Sequence, residues 1–360
     1  MIKDLVTYYM LILCVCIPYK IEGRSLKRPA DEATPCITVQ PSDPTIAHTW
    51  YSPTTHNQSS NKDAYTLQSP YLRINPIVQG FDHRFFKQHY LPQNQLLEFR
   101  NKQGSVLSST LEKLAETLVA EVKAGKRKFT HFKVLKDKDF NYKKLSGLLV
   151  VKFKDYPFVL KLSIEHPHTM VQPYTKSFEA KFIFIFGGNI RHLSNFTRIT
   201  NLEDIKKRLS YNPYYLNNID FPRKWYWKPK QNYDLEITWH KTPYLEERQF
   251  KIPSIYATLS DYIDVDASYP QQELNKIAMK VATDVEFRID PHAGNFVVEK
   301  GSTKYTMLDT ENFRIMTGMD RTMSARKYIS WFFELAMSCL QVYGGRTKQE
   351  RIKNCFTILD

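Results

Sequence analysis

Cysteine is scarce in this chain, and its placement excludes the sites that cysteines commonly build. Only five cysteines occur among the 360 residues. Two of them, Cys14 and Cys16, lie in an apolar N-terminal stretch, and Cys36, Cys339 and Cys355 are far apart and odd in number. This pattern fits neither a disulfide framework nor a zinc site. A chain of this length can bury a core that is stable without disulfides.

A long block of positive charge is also absent, although the chain as a whole is basic. Lysine and arginine exceed aspartate and glutamate, so the formal net charge is +14. The longest basic clusters, KAGKRKF at 123 to 129 and FPRKWYWKPKQ at 221 to 231, are short. A surface of this kind attracts nucleic acid, an anionic membrane, phosphate or an acidic partner, or is simply solvated. Nucleic acid is the partner that we expect least.

The N-terminus carries an apolar stretch that is too short for a membrane-spanning helix. Residues 5 to 17 are nearly uncharged and follow Lys3, whereas a spanning helix needs about 20 apolar residues. Such a stretch is typical of a signal peptide. We therefore expect residues 1 to 23 to direct export to a periplasmic, extracellular or host compartment. An uncleaved membrane anchor and a plain apolar N-terminus are the alternatives.

Two further segments precede the strand-rich part of the chain. Residues 24 to 65 are dominated by Pro, Ser, Thr, Asn and Asp without an apolar period, which predicts a disordered linker. Residues 66 to 128 form an N-terminal extension with a helix at 109 to 124. That helix is predicted by an apolar stripe at helical spacing and by a capping-box pattern at 109 to 112.

Strands are predicted mainly in one half of the remaining chain and helices in the other. Alternating apolar patterns predict strands at 129 to 136, 145 to 154, 158 to 163, 196 to 200, 233 to 240 and 249 to 257. Helices are predicted at 177 to 188, 271 to 287 and 329 to 340, and a hairpin at 296 to 308. This segregation predicts an α+β fold with a sheet-rich part at 129 to 258 and a helix-rich part at 259 to 360.

The hairpin brings carboxylates together. Asp290 and Asn295 lie on the loop that enters it, and Asp309 lies at its exit. Mg²⁺ binds oxygen ligands and leaves positions for water and phosphate oxygens. Asn295 and Asp309 can supply two such ligands, and Asp290 can accept a proton from a substrate hydroxyl.

The residues around this hairpin resemble motifs of a known fold. DPHAGN at 290 to 295 and LDTEN at 308 to 312 resemble the catalytic loop and metal motif of the protein-kinase-like fold. The residues of these motifs are similar to those of an atypical branch, the aminoglycoside phosphotransferases and UbiB-type kinases. The resemblance implies two lobes: an antiparallel-sheet N-lobe at 129 to 258 and a helical, shortened C-lobe at 259 to 360.

The resemblance also implies ATP and Mg²⁺ as cofactors. Lys161, on the third strand, would contact nucleotide phosphates, and Glu179, on the next helix, would orient it. Asn295 and Asp309 would hold Mg²⁺, and Glu311 is a candidate ligand for a second ion. Considered alone, Lys161 could equally be a lysine on an edge strand that extends its charge into solvent. Glu179 alone could be an ordinary acid at the start of a helix.

The same resemblance assigns the chemical step to the loop. Asp290 would act as the base for a hydroxyl-bearing acceptor, and His292 would help to hold the loop in place. The acceptor is a small molecule or a protein. Only 51 residues follow Asp309, which leaves little room for a protein-binding platform and favours a small molecule.

Departures from the family pattern keep other functions open. The segment DKDFNYKKLSG at 137 to 147 stands where a glycine-rich loop is expected, with Lys143 and Lys144 as substitutes by charge alone. Ile289 stands where kinases carry an arginine. One alternative is therefore a weak or inactive kinase-fold protein that acts as a binding module. Another is a basic binder of nucleic acid or anionic surfaces that uses the aromatic-basic stretch at 221 to 231.

Overall fold

The computed structural model describes most of the chain between residues 36 and 312. The described residues are 36–42, 65–68, 88–167, 191–231, 234–242, 246–286, 288–290 and 292–312. They contain helices α1 (Ser108–Lys123), α2 (Arg191–Ser210), α3 (Pro213–Asn218) and α4 (Gln271–Asp284). Several antiparallel sheets accompany these helices, so the fold is α+β as predicted.

The strands form four sheets within these residues. The first eight are β1 (Cys36–Pro41), β2 (Tyr65–Gln68), β3 (Leu96–Glu98), β4 (Ser105–Leu107), β5 (Phe132–Lys136), β6 (Phe140–Asn141), β7 (Ser146–Phe153) and β8 (Phe158–Ile164). The others are β9 (Ile219–Asp220), β10 (Lys224–Trp227), β11 (Asp234–Trp239), β12 (Arg248–Pro253), β13 (Ile255–Asp261), β14 (Phe296–Val298) and β15 (Tyr305–Met307).

The largest sheet has six strands and positions most of the candidate site. Its order is β10-β13-β8-β7-β5, and β6 pairs with β7. The pairs β5–β7 and β7–β8 are antiparallel, which confirms the three strands predicted between 129 and 163. Lys161 on β8 lies opposite Val150 on β7 and Thr258 on β13. Side chains that lie opposite each other share one face of a sheet, so this register places Lys161 and Thr258 on the same face.

One face of this sheet is apolar and is covered by α1. Buried leucines of the helix, Leu111 and Leu118 among them, belong to one cluster with Leu149, Leu160 and Leu162 of the strands. The helix forms because its apolar residues recur at helical spacing and can pack on the sheet together. The predicted helix at 109 to 124 is therefore confirmed.

The predicted capping box is wrong. The N-cap residue is Leu107, the last residue of β4, and its side chain makes no capping hydrogen bond. The helix begins one residue before the predicted pattern, at Ser108, whose Oγ accepts a hydrogen bond from the Gln95 amide at 3.1 Å. Because β4 runs directly into the helix, strand pairing with β3 sets the direction of the chain at this point.

The strand predicted at 196 to 200 is instead part of α2. The β-branched residues of FTRIT favour a strand locally. However, the buried residues Ile199, Leu202, Ile205 and Leu209 are spaced by three or four positions, which is a helical repeat. Burial of this longer stripe outweighs the local preference.

The segment predicted as one strand at 249 to 257 divides into two strands of different sheets. β12 pairs with β11, and β13 pairs with β8 and β10. Ser254 lies between them, and its carbonyl accepts a hydrogen bond from the Glu165 amide at 2.7 Å. The chain thus passes from the smaller sheet to the larger one within a single residue.

Part of the segment predicted as a disordered linker is ordered. β1 lies between β11 and β2 in a four-stranded antiparallel sheet. Val39 is fully buried there. The prediction for residues 24 to 65 is therefore wrong for Cys36–Pro41, because pairing with the distant β11 supplies the contacts that the local composition does not. The expected strand at 233 to 240 is confirmed as β11.

The chain after the large sheet has the order that the sequence predicts. α4 leads to residue 290, a 3₁₀ turn spans Ala293–Asn295, and β14 and β15 form the hairpin. Gly301, in the hairpin turn, has a φ of +77°, a value that glycine adopts without strain. Asp309 lies two residues beyond β15, as predicted.

Three predictions lie outside the described residues. These are the signal peptide at 1 to 23, the helix at 177 to 188 that contains Glu179, and the helix at 329 to 340. Among the helices that the structure does describe, none has the length and apolar character that a membrane crossing requires.

Candidate functional site

The second face of the six-stranded sheet contains both apolar and polar residues and carries cationic side chains. Lys161, Thr258 and Tyr226 lie side by side on β8, β13 and β10. Lys224 lies at the start of β10, two residues from Tyr226. The Thr258 hydroxyl is buried without a hydrogen-bond partner among the described residues. This face therefore offers positive charge together with a free hydroxyl.

Asp309 and Glu311 meet this face through Arg198 on α2. Arg198 Nε donates to Asp309 Oδ1 at 2.8 Å and Oδ2 at 3.1 Å. Arg198 Nη2 donates to Glu311 Oε2 at 2.6 Å. Lys161 Nζ lies 3.9 Å from Asp309 Oδ2. The structure thus brings together three predicted site residues, Lys161, Asp309 and Glu311. We call them, with Arg198 and Lys224, the charged cluster.

Polar contacts around Thr310 fasten the hairpin exit to α2 and β10. Lys224 Nζ donates to Thr310 Oγ1 at 2.7 Å, and that hydroxyl donates in turn to the Arg198 carbonyl. Asn201 Nδ2 donates to the carbonyls of Thr310 and Arg288, each at 3.0 Å. One helix therefore holds both the exit of the hairpin and the chain just before Asp290.

The loop at 290 to 295 is held by its own polar residues. Asn295 Nδ2 donates to the Asp290 carbonyl at 3.0 Å, and His292 Nδ1 accepts from the Gly294 amide at 3.0 Å. His292 is exposed, and its role in holding the loop stays a prediction. The Asn295 carbonyl accepts from the Leu308 amide at 2.8 Å, so the loop lies against the residue that precedes Asp309.

The charges of the cluster shift one another's pKa values. Burial lowers the pKa of Lys161, and Asp309 opposes that change. Burial likewise lowers the pKa of Lys224 to about 7; Asp309 again opposes, and Lys161 and Arg198 add to the decrease. For Asp309, burial alone would raise the pKa, but Arg198, Lys161 and Lys224 together hold it below its ordinary value. The cluster therefore keeps an ionised aspartate beside a lysine that titrates near neutral pH.

The oxygen donors suit Mg²⁺ only with a rearrangement. Carboxylate and amide oxygens are the ligands that Mg²⁺ prefers, and Asp309, Glu311 and Asn295 carry them. In the structure both carboxylates bind the Arg198 guanidinium. Among the described residues, no three His, Cys, Asp or Glu side chains form a group that could hold a metal. As the structure stands, Arg198 occupies both candidate carboxylates, so an ion would need Arg198 to release them first.

Sequence reasoning missed two cations of the cluster. Arg198 lies in the stretch that was predicted as a strand, and the helical spacing of its apolar neighbours is the signal that would have placed it on α2. Lys224 lies in the aromatic-basic stretch at 221 to 231. Within that stretch Tyr226 and Trp227 are buried, and Arg223 pairs with Asp261 at 2.7 Å.

No protein-family model and no curated protein sequence matches the chain. The charged cluster and the loop beside it are therefore the features that indicate a function.

Proposed function

We propose that the chain is a phosphotransferase of the protein-kinase-like fold, which transfers phosphate from ATP to a hydroxyl-bearing acceptor with Mg²⁺. The observation that carries this proposal is the approach of Lys161 on β8 to Asp309 beyond the hairpin, at 3.9 Å. In kinases, a lysine on the third strand contacts nucleotide phosphates, and an aspartate after the catalytic loop holds the metal. Lys161 and Asp309 have the corresponding chain positions.

The order of the elements supports the same assignment. The meander β5–β7–β8 is followed by α2 and by two further strands of the same sheet, β10 and β13. Then come α4, the loop with Asp290, and the hairpin β14–β15. This order is compatible with a sheet-based N-lobe, a shortened helical C-lobe and a cleft between them that contains the charged cluster.

Each residue of the proposed site has a distinct task. Lys161 and Lys224 attract phosphate oxygens, and the buried hydroxyl of Thr258 offers a further hydrogen bond beside Lys161. Asp290 accepts the proton of the acceptor hydroxyl. Asn295, Asp309 and Glu311 would hold Mg²⁺, which neutralises charge on the phosphates when it is bound. Arg198 must leave the two carboxylates before they can do so.

A second candidate is a kinase-fold binding module without phosphate transfer. The observation that favours it is that Arg198 binds both proposed metal-binding carboxylates. A guanidinium remains charged at any physiological pH and can substitute for a cation permanently. The turn at 137 to 147 also differs from a glycine-rich loop: Asn141 Oδ1 accepts from the amides of Lys143 and Lys144 at 3.0 and 3.1 Å, which occupies those donors.

Calorimetric titration with ATP, with and without Mg²⁺, separates the two candidates when it is paired with a radiolabelled phosphate-transfer assay. For a phosphotransferase, Asp309→Asn should weaken Mg²⁺-dependent ATP binding, and Lys161→Ala should do the same. Asp290→Asn should leave ATP affinity nearly unchanged and lower transfer by about 10²–10⁴-fold, the usual effect of losing a general base.

Two further variants complete the experiment. Arg198→Gln should strengthen the Mg²⁺ dependence of ATP binding, because it frees both carboxylates. Glu203→Gln, on an exposed position of the same helix, serves as the control and should leave binding unchanged. If ATP binding is independent of Mg²⁺ and unaffected by Asp309→Asn, phosphate transfer is excluded and the binding module is the better assignment.

A further inference from the structure

A cavity apart from the charged cluster lies at one end of the six-stranded sheet. Its volume is about 390 Å³, and four chain segments form its wall. These are the β3–β4 turn, the β7–β8 turn, the residues that follow β13, and the β14–β15 turn. The cavity is lined by five cationic side chains, by three carboxylates and by Tyr262, among others: Arg100, Lys102, Lys152, Lys154, Lys300, Asp155, Asp264 and Glu299. None of the residues of the charged cluster lines it.

Three of the lining lysines have no carboxylate partner among the described residues. Lys154 Nζ donates to the carbonyls of Phe129 and Thr130, at 3.0 and 2.7 Å, so it is held in place with its charge uncompensated. Lys152 Nζ lies 4.0 Å from the centre of the Tyr262 ring. Lys102 lies over an aromatic ring in the same way. Neutral partners orient these ammonium groups while leaving their positive charge for another anion.

Arg100 adds a donor that lacks an acceptor. Its Nη2 pairs with Asp220 and lies 3.8 Å from Glu299. Its Nη1 is buried and has no hydrogen-bond partner among the described residues. A buried N–H group without an acceptor costs free energy. Because Nη1 is closed to solvent, a ligand oxygen would reach it only after the residues that cover it move. The lining thus carries five cationic side chains against three carboxylates, an excess of positive charge.

We propose that this cavity binds a small molecule that carries two or more phosphate groups. Its volume lies within the range of small-molecule sites. Arginine and lysine are the side chains that bind phosphate oxygens most strongly. Lys102, Lys152 and Lys154 supply the charge. The proposal does not depend on the activity of the charged cluster.

Calorimetric titration of the full chain with inorganic pyrophosphate and with inositol hexakisphosphate, without Mg²⁺, tests the proposal. Lys152→Gln is expected to weaken binding by about tenfold, as for the loss of one charge-assisted hydrogen bond. Lys102→Glu, on an exposed turn that tolerates substitution, should weaken it further by reversing a charge. Lys161→Gln reports on any second phosphate site in the charged cluster, because binding in the cavity does not depend on Lys161. Lys207→Gln, an exposed lysine elsewhere, is the matched control.

The outcomes separate this site from the nucleotide site. If Lys102→Glu binds ATP as the wild-type protein does but no longer binds pyrophosphate, the result supports a separate site in the cavity. This holds whether or not the chain transfers phosphate. Equal loss in Lys207→Gln would reveal nonspecific charge attraction and overturn the proposal. Loss in Lys161→Gln alone would assign the anion to the charged cluster instead. Binding only to vesicles that contain phosphatidylinositol bisphosphate, and to neither soluble probe, would also overturn it.

Discussion

The two faces of the six-stranded sheet differ sharply, although alternate residues of the same strands form them. On one face Leu160 and Leu162 pack beneath α1 in a continuous apolar cluster. On the other, Lys161 lies between them in sequence and approaches Asp309. Leu162 is 0% exposed, whereas the Lys161 side chain is 25% exposed. One strand therefore contributes apolar burial through one set of residues and charge through the other.

This difference separates what stabilises the fold from what can act on a ligand. Apolar burial on the α1 face is favourable in proportion to the area removed from water. On the opposite face, burial of Lys161, Lys224 and Arg198 is unfavourable unless anions balance them. Asp309 and Glu311 provide two such anions, and a bound phosphate would provide more. Substitutions on the two faces should therefore have different consequences.

The largest expected effect is on the apolar face. Leu162→Ala should lower the free energy of unfolding by about 2–5 kcal/mol, the range found for buried leucines that leave a cavity. Lys161→Gln, at the adjacent position, should change the free energy of unfolding much less. The substitution removes a partly exposed charge whose burial is itself unfavourable. Urea denaturation of both variants measures the difference. Equal losses at the two positions would contradict the division between the faces.

A smaller loss is expected when the anion of the charged cluster is removed. Asp309→Asn leaves Arg198, Lys161 and Lys224 with less compensation. Removing one partner of a fully buried ion pair costs about 3–5 kcal/mol. Because the Asp309 side chain is 22% exposed, we expect a decrease in the free energy of unfolding of about 1–3 kcal/mol. Urea denaturation at pH 7 measures it.

The control for this change is a surface ion pair. Glu246 pairs with Lys241 at 3.2 Å but is 80% exposed, so Glu246→Gln should have little effect. Acid supplies a second test. The folded pKa of Asp309 lies below its unfolded value of about 3.9. Its contribution is therefore present above pH 4 and is lost as the pH falls toward the folded pKa. The wild-type protein and Asp309→Asn should become similar in stability there.

The strand β1 permits a third comparison between the two sides of one strand. Val39 is 0% exposed, whereas its neighbour Gln40 is partly exposed. Val39→Ala should lower the free energy of unfolding by about 1–2 kcal/mol through the loss of two buried methyl groups. Gln40→Ala is the matched control and should have a smaller effect. An unchanged thermal midpoint for Val39→Ala would restore the linker interpretation of this segment.

The sequence predicted those elements whose apolar pattern is long and periodic. The helix near 109 to 124, the meander around Lys161, α4 and the hairpin β14–β15 are all confirmed within three residues. The hairpin also placed Asp309 correctly at its exit. Predictions were wrong where distant partners outweigh local preference, as for β1, which pairs with β11, and for the FTRIT segment, which lies in α2.

The charged cluster was only half predictable for a related reason. Lys161, Asp309 and Glu311 belong to motifs with a defined spacing. Arg198 is 111 residues from Asp309 in sequence, and no local sequence pattern predicts their contact. Lys224 looked like part of a surface patch, because its burial depends on β10 pairing with β13 inside the large sheet. The contacts of both cations depend on the tertiary arrangement: that of Arg198 on how α2 packs, and that of Lys224 on the strand order.

The smallest expected effect concerns the protonation of Lys224. Its pKa is lowered to about 7 in the folded protein, whereas an unfolded lysine has a pKa of about 10.4. Between these values the unfolded chain binds more protons than the folded one, so stability should rise with pH. Over pH 7 to 8 the gain is at most about 1 kcal/mol, because one proton corresponds to 1.36 kcal/mol per pH unit. Lys224→Met should remove this gain, whereas Lys207→Met, at an exposed position, should keep it. Unfolding curves at closely spaced pH values measure both slopes, and parallel slopes for the wild-type protein and Lys224→Met would show that Lys224 stays charged beside Asp309.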